Sequence, residues 1–272
     1  MKQLILNDIC ELIVDCEHKT APTQETGYPS IRTPNVGRGY LILDGVNRVS
    51  EKTYRQWSQR AVPQTDDIIL AREAPLGNAA IIPPNIEVCL GQRTVLIRPN
   101  KNKVDPHYLV YLLLGDEIQG RFHGLGAGAT VPHLNMKDIR ELPLPELPPL
   151  FVQQQIGAIL SAYDDLIENN TRRIKALEQA AHDLYREWFV EFRFPGHESV
   201  PLWDSGTDYG MIPQGWGVGA FTDIADVLSG GTPRTTVPEY WDGDIPFFSP
   251  KDTGSSFYVL DTEKHIPVCH NR

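Results

Sequence analysis

Residues 148–194 read PPLFVQQQIGAILSAYDDLIENNTRRIKALEQAAHDLYREWFVEFRF. Two prolines open this stretch, and proline suits the first position of a helix because the N–H that it lacks has no partner there. No other proline follows until Pro195, where Pro195 and Gly196 end the pattern. A helix from Leu150 to Glu191 would be roughly 63 Å long at about 1.5 Å per residue. That length exceeds what a compact domain ordinarily holds.

Apolar residues in this stretch repeat every seven positions along two seams. One seam consists of Ile156, Tyr163, Asn170, Leu177 and Leu184, and the other of Leu160, Ile167, Ile174, Ala181 and Trp188. The alternating spacing of four and three residues predicts a coiled coil. Asn170 interrupts the first seam, and one buried Asn in a coiled coil often fixes the register and the number of helices. The alternative is that the helix packs lengthwise on its own domain.

The composition of the chain is that of a protein with buried cores. Its 272 residues are 41% hydrophobic, which is enough for two domains. No run approaches the roughly 18 apolar residues of a membrane-spanning helix, and acidic residues come too early for a signal peptide. The four cysteines show no paired or metal-binding spacing. We therefore expect free thiols in a cytoplasmic protein without membrane contact.

The net charge of −10, taken over the whole chain, argues against nucleic-acid binding. The distribution of charge weakens that argument, because most of the acidic excess lies after residue 196. The first 150 residues are nearly neutral and contain more arginine than lysine. Local basic faces are therefore still expected in the first part of the chain.

Short apolar runs between turn residues predict a mixed α/β domain over residues 1–147. Asp105 and Pro106 form a good helix start, so we expect a helix that continues to about Arg121. Asn135 predicts the start of one more helical turn. The strands are expected at residues 40–43, 68–72, 79–82 and 94–98.

The fold class predicted for the whole chain is α+β. A mixed α/β domain is followed by the long coiled-coil helix at residues 148–195, and residues 196–272 hold a linker and the beginning of another domain. Weak internal similarity supports a second domain of the same kind. The dipeptide Asp8-Ile9 recurs as Asp223-Ile224, and Gly27–Pro34 aligns without gaps to Gly243–Pro250.

Several motifs follow one another in an order that is typical of a known family. Residues 67–82, DIILAREAPLGNAAII, have the form of that family's hairpin, in which Arg72 precedes Gly77 by four intervening residues. Residues 128–149, GATVPHLNMKDIRELPLPELPP, lead to QQQI at the start of the long helix. PQGW at 213–216 and GGTP at 230–233 come later. In this order the chain resembles the specificity (S) subunit of Type I restriction-modification systems.

The resemblance implies a DNA-reading protein that is not itself an enzyme. In that family each target-recognition domain reads half of a split site on double-stranded DNA, and two long helices pair antiparallel as a spacer. Methyltransferase (M) subunits dock on the specificity subunit, and restriction (R) subunits join them. No cofactor is then expected on this chain, because S-adenosylmethionine, ATP and Mg²⁺ belong to the partner subunits. Residues 1–147 correspond to a target-recognition domain, and residues 196–272 to the start of a second, incomplete one.

This chain departs from the family's pattern because it stops at Arg272, within the second domain and before a second spacer helix. We therefore expect the long helix to pair with the same helix of a second copy, giving a two-fold dimer that favours a palindromic split site. Two alternatives stay open. The chain is otherwise a structural coiled-coil scaffold, or an inactive truncated fragment without independent DNA binding.

Three loops of the first domain carry residue types that contact DNA. Arginine, asparagine and glutamine side chains read base edges, cations and hydroxyls contact phosphates, and glycine lets the backbone approach closely. These candidates are Arg32, Asn35 and Arg38 in residues 32–39; Arg72, Asn78, Gln92 and Arg93 around the hairpin; and Thr130, His133, Asn135 and Lys137 in residues 128–137.

Each of these loops has a plainer interpretation as solvated surface. Arg72 in particular is also expected to pair with Glu73 or another carboxylate. If the loops do bind DNA, replacing Arg72 or Lys137 by alanine should weaken binding without unfolding the domain.

The sequence offers no constellation that favours an enzyme. Glycines 124, 126 and 128 follow a predicted helix instead of a strand, which is the wrong context for dinucleotide binding. No nucleotide-binding GxxxxGK[ST] motif occurs, and the eight histidines show no metal-ligand spacing. We therefore predict a non-catalytic protein without a metal of its own.

Overall fold

The computed structural model describes residues 3–126, 132–254 and 259–268. The chain divides into two compact units, residues 1–183 and residues 184–272. The fold is the expected α+β arrangement, with short strands, few short helices and one long helix. Within the described residues no helix has the length and apolar character needed to cross a membrane.

The first unit contains seven strands and five α-helices among its described residues. Its strands are β1 (Cys10–Asp15), β2 (Tyr28–Ile31), β3 (Arg48–Val49), β4 (Ile68–Ala71), β5 (Ala79–Ile81), β6 (Cys89–Leu90) and β7 (Thr94–Pro99). Its helices are α1 (Glu51–Trp57), α2 (Pro106–Leu114), α3 (Asp116–Gly126), α4 (Met136–Arg140) and α5 (Leu150–Tyr185).

The main sheet has the order β1-β7-β4-β5, and its neighbouring strands are all antiparallel. A smaller sheet has the order β3-β2-β6, in which β2 and β6 run parallel. Every residue of β4 is buried, because helices cover one face of the main sheet and the smaller sheet's residues lie against the other. These strands confirm the expected runs at 68–72, 79–82 and 94–98.

Two elements of the first unit differ from the sequence prediction. Residues 40–43 form no strand, and Leu41 makes only an isolated bridge to Val36, because the loop folds back on itself. The helix expected from Asp105 to about Arg121 is two helices, which separate at Gly115, a residue in extended conformation. The predicted cap is correct, since the Asp105 side chain accepts a hydrogen bond from the Tyr108 N–H at 2.9 Å.

Helix α5 begins at Leu150 as predicted and continues through Tyr185 into one π-helical turn, Arg186–Val190. Its first half lies on the domain through a polar and small-residue face. Gln153 Oε1 accepts from the Asp105 N–H at 3.0 Å, Ser161 lies 2.8 Å from His107, and Tyr111 donates to Asp164 at 2.7 Å. Burial and this carboxylate raise the pKa of Tyr111 to about 12, so its hydroxyl remains a donor at neutral pH.

The heptad seam of α5 is a different face and is largely exposed. Tyr163 is 63% exposed, Ile167 61% and Leu177 68%. The alternative of lengthwise packing is therefore wrong for the seam, although it is correct for the polar face. The prediction of a seam that is free for a partner helix fits the structure.

The second unit begins with the end of α5 and an aromatic cluster. Trp216 stacks on Phe194 with ring centroids 5.8 Å apart and also contacts Phe189 and Phe192. Residues 196–213, expected to be a linker, instead form a hairpin of β8 (Leu202–Asp204) and β9 (Met211–Pro213), because glycines 206 and 210 take positive φ in the turn. The remaining strands, β10 (Ile245–Pro246) and β11 (His265–Ile266), pair antiparallel.

The second unit repeats part of the backbone pattern of the first. Tyr28 pairs with Val49, and Ile245 pairs with Ile266; both members of the second pair lie 217 positions later. A 3-10 turn follows each first strand, and the third residue of that turn caps it. Asn35 Oδ1 accepts from the Arg32 N–H, and Asp252 Oδ2 accepts from the Ser249 N–H. The gapless alignment at an offset of 216 was wrong by one residue, because only hydrogen bonding fixes strand register.

Gly157 offers a test of how α5 docks. A Cβ at this position would lie 2.7 Å from Asp105 Oδ1 and 3.0 Å from the Tyr108 nitrogen. We expect Gly157→Ala to lower the free energy of unfolding by roughly 1–3 kcal/mol, despite the higher helix propensity of alanine. The matched control is Gly120→Ala on α3, where a Cβ meets nothing within 4 Å. Urea denaturation that finds both variants equally stable would show that α5 does not pack closely here.

Candidate nucleic-acid interface

Four strand ends meet at one edge of the main sheet. Because β7 runs antiparallel to both β1 and β4, it begins where those two strands end: Asp15 pairs with Val95, and Ala71 with Thr94. Strand β5 begins beside the end of β4. This arrangement, called the sheet edge below, brings together residues 15–18, 72–79 and 92–94. Residues of all three loops selected from the sequence lie in it or beside it.

Arg72 occupies the centre of the sheet edge. It is only 6% exposed, although we expected it to face DNA. Its guanidinium donates to Asp15 Oδ2 at 2.6 Å through Nη1 and to the Leu134 carbonyl at 2.8 Å through Nε. Its Nη2 lies 2.7 Å from His133 Nε2. With these bonds made inside the protein, Arg72 ties three segments together and does not face solvent.

A chain of contacts leads from Arg72 to the surface. Arginine can only donate, so His133 Nε2 accepts from it, and the ring proton sits on Nδ1. That N–H donates to Glu73 Oε1 at 3.0 Å, and Glu73 Oε2 binds Arg93 Nε at 3.0 Å. Arg93 has a φ of 66°, a conformation that non-glycine residues rarely adopt. The turn before β7 therefore projects a mostly exposed guanidinium from the sheet edge.

Asp15 is the other charged member of the buried centre. Its Oδ2 accepts from Arg72 and lies 3.0 Å from His18 Nε2, whereas Oδ1 is buried without a hydrogen-bond partner in the described structure. Sequence reasoning missed both Asp15 and His18. The available signal was a carboxylate at the end of an apolar strand, but its partner lies 57 residues away and only the sheet brings the two together.

Asp15, Cys16 and His18 have side-chain ligand atoms within 4.8 Å of one another, a grouping that the sequence spacing did not reveal. The chemistry of the group does not suit a metal ion. The Arg72 cation already lies on Asp15 Oδ2, and burial raises the pKa of the Cys16 thiol, which favours the protonated form that binds metals poorly.

The loop of residues 32–39 serves two purposes. Asn35 and Arg38 hold structure: the Asn35 amide donates to the Ile42 carbonyl at 3.2 Å, and Arg38 donates to the Leu114 carbonyl at 3.1 Å. Asn78 likewise donates to the Val36 carbonyl at 3.0 Å. Arg32 differs, because it is exposed and lines a small cleft together with Gln92. The structure thus joins Arg32 to the sheet edge and assigns the two asparagines local bonds.

The third loop meets the sheet edge through its middle residues. The Leu134 N–H donates to the Arg72 carbonyl at 3.0 Å, which places His133 beside the end of β4. The Asn135 amide donates to Asp138, and Lys137 is exposed with Glu141 3.9 Å away. Thr130 lies outside the described residues.

The position of Arg72 changes what its replacement should do. Arg72→Ala leaves the mostly buried Asp15 carboxylate with only His18 beside it, so we expect a loss of roughly 3–5 kcal/mol in the free energy of unfolding. Arg93→Ala removes a mostly exposed partner of Glu73 and should cost less than about 1 kcal/mol. Urea denaturation of both variants measures this difference. An Arg72→Ala protein as stable as the parent would contradict the role of this contact.

Comparisons with known proteins identify the family of this chain. Residues 2–179 match the family model Methylase_S, described as the Type I restriction modification DNA specificity domain. The Type I restriction enzyme MjaIX specificity subunit of Methanocaldococcus jannaschii is 31% identical over 207 residues, which are 76% of this chain and 46% of that protein. The putative MjaX specificity subunit of the same organism is 26% identical over 272 residues, covering 97% of this chain and 63% of that protein.

A solved structure shows a similar fold. It is the S subunit of a Type I restriction-modification system from M. genitalium, with a TM-score of 0.58 and 14% sequence identity. The similarity covers 99% of this chain and 63% of that one. The chain thus spans between about half and under two thirds of the length of these relatives.

Proposed function

Because the chain belongs to the family of the Type I restriction modification DNA specificity domain, we propose that it recognises double-stranded DNA as the specificity component of such an assembly. The observation that carries this proposal is the sheet edge. There, exposed Arg93 and Arg32 and half-buried Gln92 lie beside a hydrogen-bond network centred on buried Arg72. Rigid presentation favours sequence reading, because a loosely held side chain gives up contact energy in ordering.

The polar groups at the sheet edge divide by chemistry. Arg93 and Lys137 are exposed cations, each paired with one carboxylate, at 3.0 Å and 3.9 Å, and they suit phosphate contacts that set the position of the duplex. Gln92 carries a donor and an acceptor, and Arg32 carries paired donors; both arrangements suit base edges. Arg72 positions these groups and does not contact DNA in this proposal.

We assign no catalysis to this chain. Methyl transfer and DNA cleavage belong in this proposal to partner methyltransferase and restriction subunits, which bind S-adenosylmethionine, ATP and Mg²⁺. The nearest approach to a metal site among the described residues, Asp15 with Cys16 and His18, already holds the Arg72 guanidinium. Methylation or cleavage of DNA by the purified chain alone would refute this assignment.

The interface can be tested with two matched cations at opposite edges of the main sheet. Arg93 precedes β7 and pairs with Glu73; Lys101 follows β7 and pairs with Asp66. Their side chains are 64% and 62% exposed. Arg93→Ala should weaken binding of any duplex and lower the slope of log affinity against log salt by about 1. Lys101→Ala should change neither.

Fluorescence anisotropy with a labelled duplex at several salt concentrations measures both quantities. Equal effects of the two substitutions would mean that the sheet edge is not the DNA-binding surface. An unaltered affinity for both variants would carry the same conclusion.

The exposed seam of α5 supports a helical partner, and we propose that it is the α5 of a second copy. The seam's first residues, Ile156 and Leu160, border an apolar groove of about 290 Å³ beside Tyr108 and Tyr111. Exposed apolar surface of this extent marks an interaction site. Asn170 is the middle residue of its seam, so two antiparallel copies place their Asn170 side chains near the two-fold axis.

A carboxylate on the seam should separate these copies. Ile167→Glu introduces one at an exposed seam position, and Ala162→Glu introduces one on an exposed face away from the seam. We expect sedimentation velocity to find a dimer for the parent and for Ala162→Glu, and a monomer for Ile167→Glu, because a desolvated carboxylate has no partner in an apolar seam. A parent protein that sediments as a monomer would contradict the dimer.

A further inference from the structure

A small polar cleft lies beside the sheet edge. It has about 20 Å³ of free volume and is lined by Thr20, Ala21, Thr23, Ser30, Arg32, Asn47, Gly91 and Gln92. A cavity of roughly 10–15 Å³ already holds one water molecule, so this cleft admits a single small group. Apart from Ala21 and Gly91, every lining residue carries a polar side chain.

Most of these polar side chains are not used within the domain. In the described part of the chain, the Ser30 hydroxyl, the Arg32 guanidinium and the Asn47 amide make no hydrogen bond, although Ser30 is only 3% exposed. Gln92 makes one long hydrogen bond, from Nε2 to the His18 carbonyl at 3.4 Å. Its Oε1 accepts no hydrogen bond from the described residues. These groups are therefore available to a ligand that enters the cleft.

The backbone holds this cleft in a fixed shape. The Ser30 N–H donates to the Asn47 carbonyl at 2.7 Å, and the Gly91 N–H donates to the Ile31 carbonyl at 2.7 Å. A Cβ on Gly91 would lie 2.5 Å from Arg32 Cγ, so the glycine lets the Arg32 side chain lie across the turn. The lining groups are therefore positioned before any ligand arrives.

The repeat in the second unit keeps this backbone and changes the side chains. There the Phe247 N–H donates to the Lys264 carbonyl at 2.8 Å, as the Ser30 N–H does to Asn47. At the same offset, Ser30 is replaced by Phe247, Arg32 by Ser249 and Asn47 by Lys264. The turn-capping acceptor is retained as Asn35 and Asp252. The backbone pattern is thus the same in both units, whereas the side chains at these positions differ. Two modules that read different DNA sequences require this combination.

The available groups favour a base over a phosphate. Phosphate seats commonly use backbone N–H groups, but those of Ser30 and Gly91 are already bonded within the sheet. Arginine pairs with the O6 and N7 of guanine, and asparagine or glutamine with the N6 and N7 of adenine. The free volume matches one exocyclic amino group or carbonyl oxygen.

We propose that the cleft of Ser30, Arg32, Asn47 and Gln92 receives the major-groove edge of a purine and determines one position of the recognised DNA sequence. The inference rests on the proposed DNA recognition and deepens it by naming specificity-determining residues. Ser30 and Asn47 are new in this role, and Arg32 and Gln92 act as base readers.

Selection of bound duplexes from a randomised library tests the proposal with the full chain. Asn47→Ala and Gln92→Ala should each reduce the preference for a purine at one position by about 5- to 150-fold, and other positions should keep their preference. Asn47→Asp keeps the shape of the side chain but leaves only acceptors, so it should shift that position toward cytosine. The control is Asn102→Ala, an exposed asparagine beyond the opposite end of β7.

The possible outcomes separate the two proposals. If the parent chain enriches no sequence, DNA recognition itself fails and the cleft proposal with it. If the parent enriches a sequence and the cleft variants keep it unchanged, only the cleft proposal is overturned. Uniform weakening across all sequences would mean that the cleft binds phosphate and would also overturn it. Thermal melting equal to that of the parent confirms that each variant is folded.

Discussion

The contact between Arg72 and Asp15 is the interaction on which the candidate site depends. Buried Arg72 and mostly buried Asp15 lie 2.6 Å apart where four strand ends meet, and each also contacts a histidine nearer the surface. A buried pair of this kind adds little net stability compared with apolar packing, but losing one partner is costly. We therefore interpret it as a device that fixes geometry, because it holds the loops beside it in one arrangement.

The long helix also uses different residues for different contacts. Its polar face, at Gln153, Ser161 and Asp164, is bonded to the domain, and its apolar seam faces outward. One face of α5 therefore binds the domain, and a different face remains exposed. The polar face fixes how α5 lies on the domain, and the exposed seam is available to a partner helix. In our proposal this links the placement of the DNA-binding surface to assembly.

The elements that follow local rules were predictable from the sequence. The seven-residue spacing predicted α5, the Asp105 cap predicted the start of α2, and apolar runs predicted β4, β5 and β7. The site was predictable only as a choice of loops, because Arg72 meets Asp15 and His133 across 57 and 61 residues. From the sequence we predicted that Arg72 contacts DNA. In the structure it is buried and holds the neighbouring loops through hydrogen bonds. Asn47 and Ser30 carry no local signal, since the cleft exists only after β2, β3 and β6 pair.

In our proposal the sheet edge lies against DNA, and the opposite ends of the same strands do not. Hydrogen–deuterium exchange of the full chain with and without a duplex at low salt tests it most directly. We predict that DNA slows exchange in residues 16–23, 91–93 and 132–137 and leaves residues 99–103, at the opposite edge, unchanged. Slower exchange confined to residues 99–103 or to the exposed seam of α5 would contradict the claim.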